Sequence, residues 1–299
     1  GSGSFILKWY RNEGVEDRLR FEHALLGALA DAQLPFDVPA PVPARSGETM
    51  VDVEIDRRPC CMALFRLIAG RAAEDGNLDE ARRCGEALAI LDRAMASVAL
   101  APDVPIPDTF GDLATVHPRV PCPTEALGRL FDSHGDATVA SDVVTRVEEL
   151  WQHHTAAWEY QIIHGDFYPS NTLVHAGRVT AILDFEYSGM GHRAMDFAIG
   201  LASFSVKDGD ADRAWPLIDS FATGYLREAR LDERELSAIP ALLLMREVTS
   251  LIHWLGRMEQ GLTAREEIHS RVDRLLALDR WLAAQGAALV ERLLTIDAG

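Results

Sequence analysis

Lysine is nearly absent from this chain. Of 299 residues only Lys8 and Lys207 carry an ammonium side chain, and every other strong base is arginine. Bases as a class are scarce, 29 Lys and Arg against 46 Asp and Glu, which leaves a formal net charge of −17. That balance argues against a nucleic-acid partner, because a phosphate backbone demands a basic footprint. The four cysteines, Cys60, Cys61, Cys84 and Cys122, show no metal-ligand spacing. The adjacent pair would point to opposite faces of a strand rather than bridge. No apolar run approaches the roughly 18 residues that span a bilayer, and no secretory leader opens the chain. Repeats and low-complexity tracts are also missing. A reducing cytoplasm is the expected compartment, with no membrane partner. The acidic field serves solubility and equally attracts a cationic small molecule.

What is present is a dense polar constellation. His164-Gly165-Asp166-Phe167-Tyr168-Pro169-Ser170-Asn171 is followed by Asp184-Phe185-Glu186. Between them lie two short apolar runs, Thr172–Val174 and Val179–Leu183, separated by His175-Ala176-Gly177-Arg178. Such spacing predicts a β-hairpin. A hairpin brings Asn171, at one strand's start, close to Asp184 at the other's end, with Asp166 on the loop just before. A carboxylate, a carboxamide and a second carboxylate so placed suit phosphoryl transfer. In that reaction the protein positions a hydroxyl, metal ions and a triphosphate and does little covalent chemistry.

H-G-D-x-x-x-x-N followed by D-F-E resembles the catalytic and metal-binding loops of the aminoglycoside phosphotransferase and choline kinase superfamily. It is a shorter relative of the protein-kinase loop H-R-D-x-x-x-x-N and its D-F-G. Ile163–Leu201 most resembles the homoserine-kinase-type and antibiotic-kinase branch, and Arg193–Ala198 stands where that family carries a helix-opening D-[LF]-A. The resemblance implies an α+β, bilobal, protein-kinase-like fold. A small antiparallel β N-lobe would occupy residues 1–68 and bind the nucleotide. A large, mostly helical C-lobe would occupy residues 69–299 and carry catalysis and the acceptor.

In the N-lobe, Phe5–Tyr10 reads as a strand around Lys8, and Glu16–Ala32 as a helix with Leu19, Leu25, Leu26 and Leu29 at helical spacing. The resemblance makes Lys8 the grip on the α- and β-phosphates, with Glu22 orienting its amine and Glu16 as the fallback. The plain alternative is a snorkelling edge-strand lysine and a solvated helix glutamate. Pro35–Pro43 reads as extended. Strands Met50–Ile55 and Cys60–Phe65 follow, the second running into Arg66–Arg71, which resembles the inter-lobe hinge. Backbone groups of Ala63, Leu64 and Phe65 are then expected on the adenine. One departure stands out: the family usually places two strands and a phosphate-covering loop before the lysine strand, and here that strand starts almost at residue 1. Only Gly1-Ser2-Gly3-Ser4, without a G-K-[ST], precedes the lysine strand.

In the C-lobe, Asp79–Ala99 reads as a helix with Leu88, Leu91 and Met95 on one stripe. It resembles the family helix ending L-A-x-L-H, except that Asp92 replaces the histidine, an exchange that reads as structural. Residues 101–123 are proline-rich and irregular. Val143–Tyr160, 210–227, 232–255 and 264–294 read as helices, with Asp232 and Glu235 as a start signal. Leu243–Val248 with Trp254 and Arg257 resembles the acceptor-lining region of homoserine-kinase-like sequences, although a helical stripe is also ordinary core.

The resemblance assigns Asp166 as general base, Asn171 and Asp184 as Mg²⁺ ligands, and Asp196 as a tie on the catalytic loop's backbone. His164 is expected to be structural, and Phe167 and Tyr168 to wall the acceptor. Glu186 is left between a metal-bound water, the substrate and a supporting role. His153 and His154 read as helix-surface residues, not zinc ligands. The expected activity is an ATP- or GTP- and Mg²⁺-dependent transfer of the γ-phosphoryl group to a hydroxyl. An antibiotic acceptor (an aminoglycoside or basic peptide) ranks first. Homoserine or an amino alcohol is the alternative, and a nucleotide-binding pseudokinase scaffold is a separate class. Oligomeric state is not fixed by the sequence.

Overall fold

The computed structural model describes residues 3–10, 16–55, 58–130, 134–154, 158–205 and 211–298. Its first part is a three-stranded antiparallel sheet in the order β1-β3-β2, formed by Phe5–Tyr10, Arg58–Arg66 and Val51–Ile55. The register runs from Phe5 opposite Arg66 to Tyr10 opposite Cys61, so Lys8 faces Ala63 across the pair. Helix α1 (Glu16–Asp31) buries Leu19, Phe21, Leu25, Leu26 and Leu29 on its apolar face. Its acidic first turn, Glu16 and Asp17, complements the positive end of the helix dipole.

Helix α2 (Leu78–Ala96) follows a two-residue strand β4 (Arg71–Ala72). Its N-cap is Asn77, whose side chain accepts from the Glu80 N–H at 3.2 Å. The proline-rich stretch hides a short helix α3 (Pro123–Leu130), with Pro123 at the first helical position, where the missing N–H costs nothing. Helix α4 spans His134–His154. The expected Val143–Tyr160 helix therefore stops early. Tyr160–Ile163 is strand β5, paired antiparallel with β8 (Gly189–His192), as its aromatic and β-branched residues favour.

The predicted hairpin is there. Strands β6 (Thr172–His175) and β7 (Arg178–Ile182) are joined by Ala176 and Gly177, both at positive φ (48° and 73°). Two left-handed central residues make the tight turn that matches strand twist. The remainder is helical: α5 (Arg193–Ser205), α6 (Ala211–Glu228), α7 (Glu233–Glu259) and α8 (Arg265–Ala298). Helix α7 opens on a complete capping box between Asp232 and Glu235. It is the one helix among the described residues long and apolar enough to cross a membrane. Here it packs against α5 and α8 with Leu243, Val248, Leu251 and Ile252 buried, as the core helix of a folded lobe does.

Candidate active site

The loop His164–Asn171 is held by a fully buried carboxylate. Asp196, in the first turn of α5, accepts from the backbone N–H of His164 at 2.5 Å and of Gly165 at 2.8 Å. Gly165 sits at φ +77°, and a Cβ there would lie 2.5 Å from the Tyr187 carbonyl oxygen, so no other residue fits without displacing backbone. His164 is 0% exposed. Its Nδ1 accepts from the Asp166 N–H at 3.2 Å, which leaves Nε2 to donate to the Leu183 carbonyl at 3.0 Å. Burial lowers its pKa, so the ring is a neutral spacer between two loops.

Asp166 projects from that loop. Asn171 Nδ2 donates both to its carbonyl and to Oδ2, each at 3.0 Å. The Leu183 N–H in turn donates to the Asn171 carbonyl at 2.8 Å, which pins the D-F-E turn beside Asn171. Asp184 is left-handed, at φ 66°, a conformation uncommon outside glycine. It presents its carboxylate 3.8 Å from Lys8 Nζ. Lys8 also lies 3.9 Å from Glu22 Oε1, while the other oxygen, Oε2, is buried without a partner among the described residues. Lys8, Glu22, Asp184, Asn171 and Asp166 therefore form one continuous cluster. Burial, then the charge of Asp184, lifts the Asp166 carboxyl to about 7. Burial, then Asp184, also raises Glu186. Three carboxyls pressed together in this way mark a functional cleft more often than a structural one.

One expectation needs correction. Phe167 does not wall the acceptor: it is 0% exposed and stacks near Phe204 and Phe221, at 5.9 and 6.4 Å between ring centroids. Ala63, Leu64 and Phe65 lie inside β3, paired to Lys8, Leu7 and Ile6. The Leu64 carbonyl is taken by the Val42 N–H at 2.7 Å, and Ala63 and Phe65 are buried. The segment outside any strand begins two residues later, at 67–70, where the Leu67 N–H donates to the Ser4 carbonyl at 2.9 Å. The side chains of His153 and His154 lie outside the described residues.

On the other side of Asp166 stands a wall that the sequence only hinted at. Arg246, from α7, donates to the Tyr168 hydroxyl and pairs with Glu247. Its guanidinium lies 5.0 Å from the Tyr168 ring centroid, and its charge acts on Asp166. Tyr187 meets His253 at 6.1 Å, and His253 meets His117 at 6.2 Å. Beyond them Arg257 and Arg271 stack on Trp254 at 5.1 and 4.1 Å. Arg271 is paired with Glu267. Arg257 has no ion pair among the described residues.

A family model described as APH, phosphotransferase enzyme family, matches residues 1–239. The chain belongs to this family. It is therefore a kinase of small molecules, with the α+β fold expected of the protein-kinase-like class. A homoserine kinase of Beijerinckia indica subsp. indica is 28% identical over 278 residues, covering 85% of this chain and 75% of that protein. One of Zymomonas mobilis subsp. mobilis is 26% identical, covering 80% and 70%. Among solved structures, a microcompartment-associated aminopropanol kinase superposes with a TM-score of 0.69 at 21% identity, covering 97% of this chain and 89% of its own. An amicoumacin kinase solved with AMP-PNP and Ca²⁺ reaches 0.68 at 17% identity, covering 93% and 82%.

Proposed function

We propose that this kinase uses a Mg²⁺-bound nucleoside triphosphate to phosphorylate the hydroxyl of a small, carboxylate-bearing metabolite of the amino-acid type. One observation carries the catalytic part: Asn171 bonds Asp166 at 3.0 Å, Lys8 lies 3.8 Å from Asp184, and the Leu183 N–H, next to Asp184, bonds the Asn171 carbonyl at 2.8 Å, which ties the two pairs together. The donor set fits Mg²⁺, which prefers one or two protein oxygens completed by phosphates and water. Asn171 spends its Nδ2 on Asp166; its amide oxygen, which accepts only a long 3.4 Å bond from the Ser170 hydroxyl, would turn to the ion, and Asp184 offers a carboxylate. Bound there, Mg²⁺ would neutralise charge on the transferring phosphoryl group.

The remaining roles belong to the chain. Lys8, steadied by Glu22, leaves Asp184 for the α- and β-phosphates when nucleotide enters. The adenine is received by backbone groups from Ala63 to Phe65 and the segment that follows, with residues 1–68 as the nucleotide lobe and 69–299 as the catalytic and acceptor lobe. Asp166 accepts or aligns the proton of the acceptor hydroxyl, and a base near neutrality suits that task. ATP and GTP both remain admissible donors.

The acceptor reading rests on the α7 wall. Arg246, held by Glu247 and Tyr168, acts on Asp166 by its charge, and Arg257, further along α7 on the Trp254 ring, is the guanidinium we assign to an acceptor carboxylate. The homoserine kinase relatives agree with a hydroxylated amino acid. An antibiotic acceptor is the second reading, favoured by the net charge of −17, which attracts cations. A mass-spectrometric screen with ATP and Mg²⁺ separates them. Amino-acid alcohols should gain one phosphoryl group. Phosphorylation confined to aminoglycosides or basic peptides would reverse the ranking, and no transfer to any acceptor would favour a nucleotide-binding scaffold.

A further inference from the structure

Beneath the catalytic loop, helix α2 carries a carboxyl that touches neither solvent nor a cation. Asp92 is 2% exposed. The Tyr225 hydroxyl of α6 donates to its Oδ2 at 2.6 Å. Its Oδ1 is fully enclosed and, with Asp92 as a carboxylate, has no partner. The group within hydrogen-bonding reach is Asp196 of α5, itself 0% exposed. Two facing carboxylates in an interior repel each other and leave lone pairs unsatisfied, so one proton must be shared between them.

The hydrogen bonds say which side supplies it. Both oxygens of Asp196 already accept backbone N–H groups, from His164 and Gly165, which fixes it as the acceptor. Asp92 takes a single hydroxyl on Oδ2 and has an unpartnered Oδ1, with Asp196 as the carboxyl within its reach. With a proton on that oxygen the orphan disappears. The other groups facing the pair are Tyr225 and Arg193, and the Arg193 guanidinium is spent on Glu235 and Glu159, at 2.9 and 2.8 Å. Gln161 from β5 uses its amide on the Asp92 backbone carbonyl, at 2.8 Å, not on the carboxyl. Among the described residues no cation is paired with Asp92; the Arg193 charge acts on it only while engaged by two glutamates.

We propose that Asp92 is a protonated positioning residue, an O–H donor to the Asp196 carboxylate, and that this bond sets the loop from which Asp166 projects. Burial, then the charge of Asp196, holds the Asp92 carboxyl well above the usual carboxylate range, in keeping with that arrangement. The kinetic half of this inference rests on the role proposed for Asp166; the protonation half does not.

Infrared difference spectroscopy of the full chain at neutral pH, wild type minus Asp92→Asn, reads the proton directly. The expected result is a carboxylic-acid C=O band present in the wild type and missing from the variant. No such band means that Asp92 is ionised, and the proposal falls. Asp92→Asn keeps the shape and substitutes an amide N–H donor, so its kcat should stay within about threefold of wild type. Asp92→Ala removes the donor and should lower kcat tenfold or more at unchanged KM for nucleotide. Should Asp92→Ala fail to fold, Asp92→Asn decides alone: a folded Asp92→Asn protein that loses tenfold in kcat overturns the positioning role. A wild-type protein that shows the band yet transfers no phosphoryl group would sink the functional reading and leave the proton in place.

Discussion

Replacing Asp166 with Asn removes a charge and a proton acceptor while conserving shape. The carboxamide oxygen can still accept from Asn171 Nδ2, as Asp166 Oδ2 does at 3.0 Å, so the loop keeps its tie. Its backbone is held independently by Asp196. What disappears is the base. General-base catalysis contributes about 10²- to 10⁴-fold in rate, or about 3–5 kcal/mol at roughly 1.4 kcal/mol per decade. The expected loss therefore falls on kcat, with nucleotide Kd shifted less than about threefold, under 1 kcal/mol. A coupled assay for nucleoside diphosphate release at saturating acceptor gives kcat, and calorimetry gives Kd. A variant that turns over within a few-fold of wild type would refute the reasoning. A variant that binds nucleotide tenfold more weakly would show that Asp166 serves the phosphates rather than the hydroxyl.

The same carboxyl predicts a pH profile. The base acts ionised, and its carboxyl is lifted to about 7 in the unliganded enzyme. kcat/KM for nucleotide should thus fall as pH drops below about 7, roughly tenfold per unit, and Asp166→Asn should lack that limb. Phe167→Ala should cost about 3–5 kcal/mol in chemical denaturation, as a buried aromatic does; a neutral effect would return Phe167 to the acceptor wall. Arg257→Ala should raise KM for an acidic acceptor about tenfold, with kcat less affected, and leave a cationic acceptor unchanged or improved. Equal effects on both acceptors would remove the carboxylate assignment.

The readable parts of this chain were those where local pattern and chemistry coincide. Two short apolar runs around a tight turn announce a hairpin, so the proximity of Asn171 and Asp184 was legible. Lys8 was conspicuous because lysine is otherwise so rare, and its pairing with Glu22 is seen at 3.9 Å. The β5–β8 pair was not legible. Gly189-Met190-Gly191-His192 has no strand pattern, and its glycine is set by a partner far away in sequence. A Cβ at Gly189 would lie 2.3 Å from the Pro107 carbonyl oxygen, and Thr109 and Pro107 bond to Met190. Phe167 misled because a motif residue adjacent to a functional carboxylate can face the cleft or the core, and only packing decides. Arg246 sat inside an apolar stripe, and that its buried guanidinium meets Tyr168 and Glu247 becomes visible only once α7 is packed.

The central claim is the convergence of Asp166, Asn171 and Asp184 with Lys8 around a metal-bound triphosphate. Calorimetric titration of ATP and GTP with and without Mg²⁺, into wild type and Asp184→Asn, tests it most directly. Nucleotide binding should require the metal in the wild type and weaken at least about tenfold in the variant, a loss of about 1.4 kcal/mol or more. Binding that is indifferent both to Mg²⁺ and to Asp184 would contradict the account.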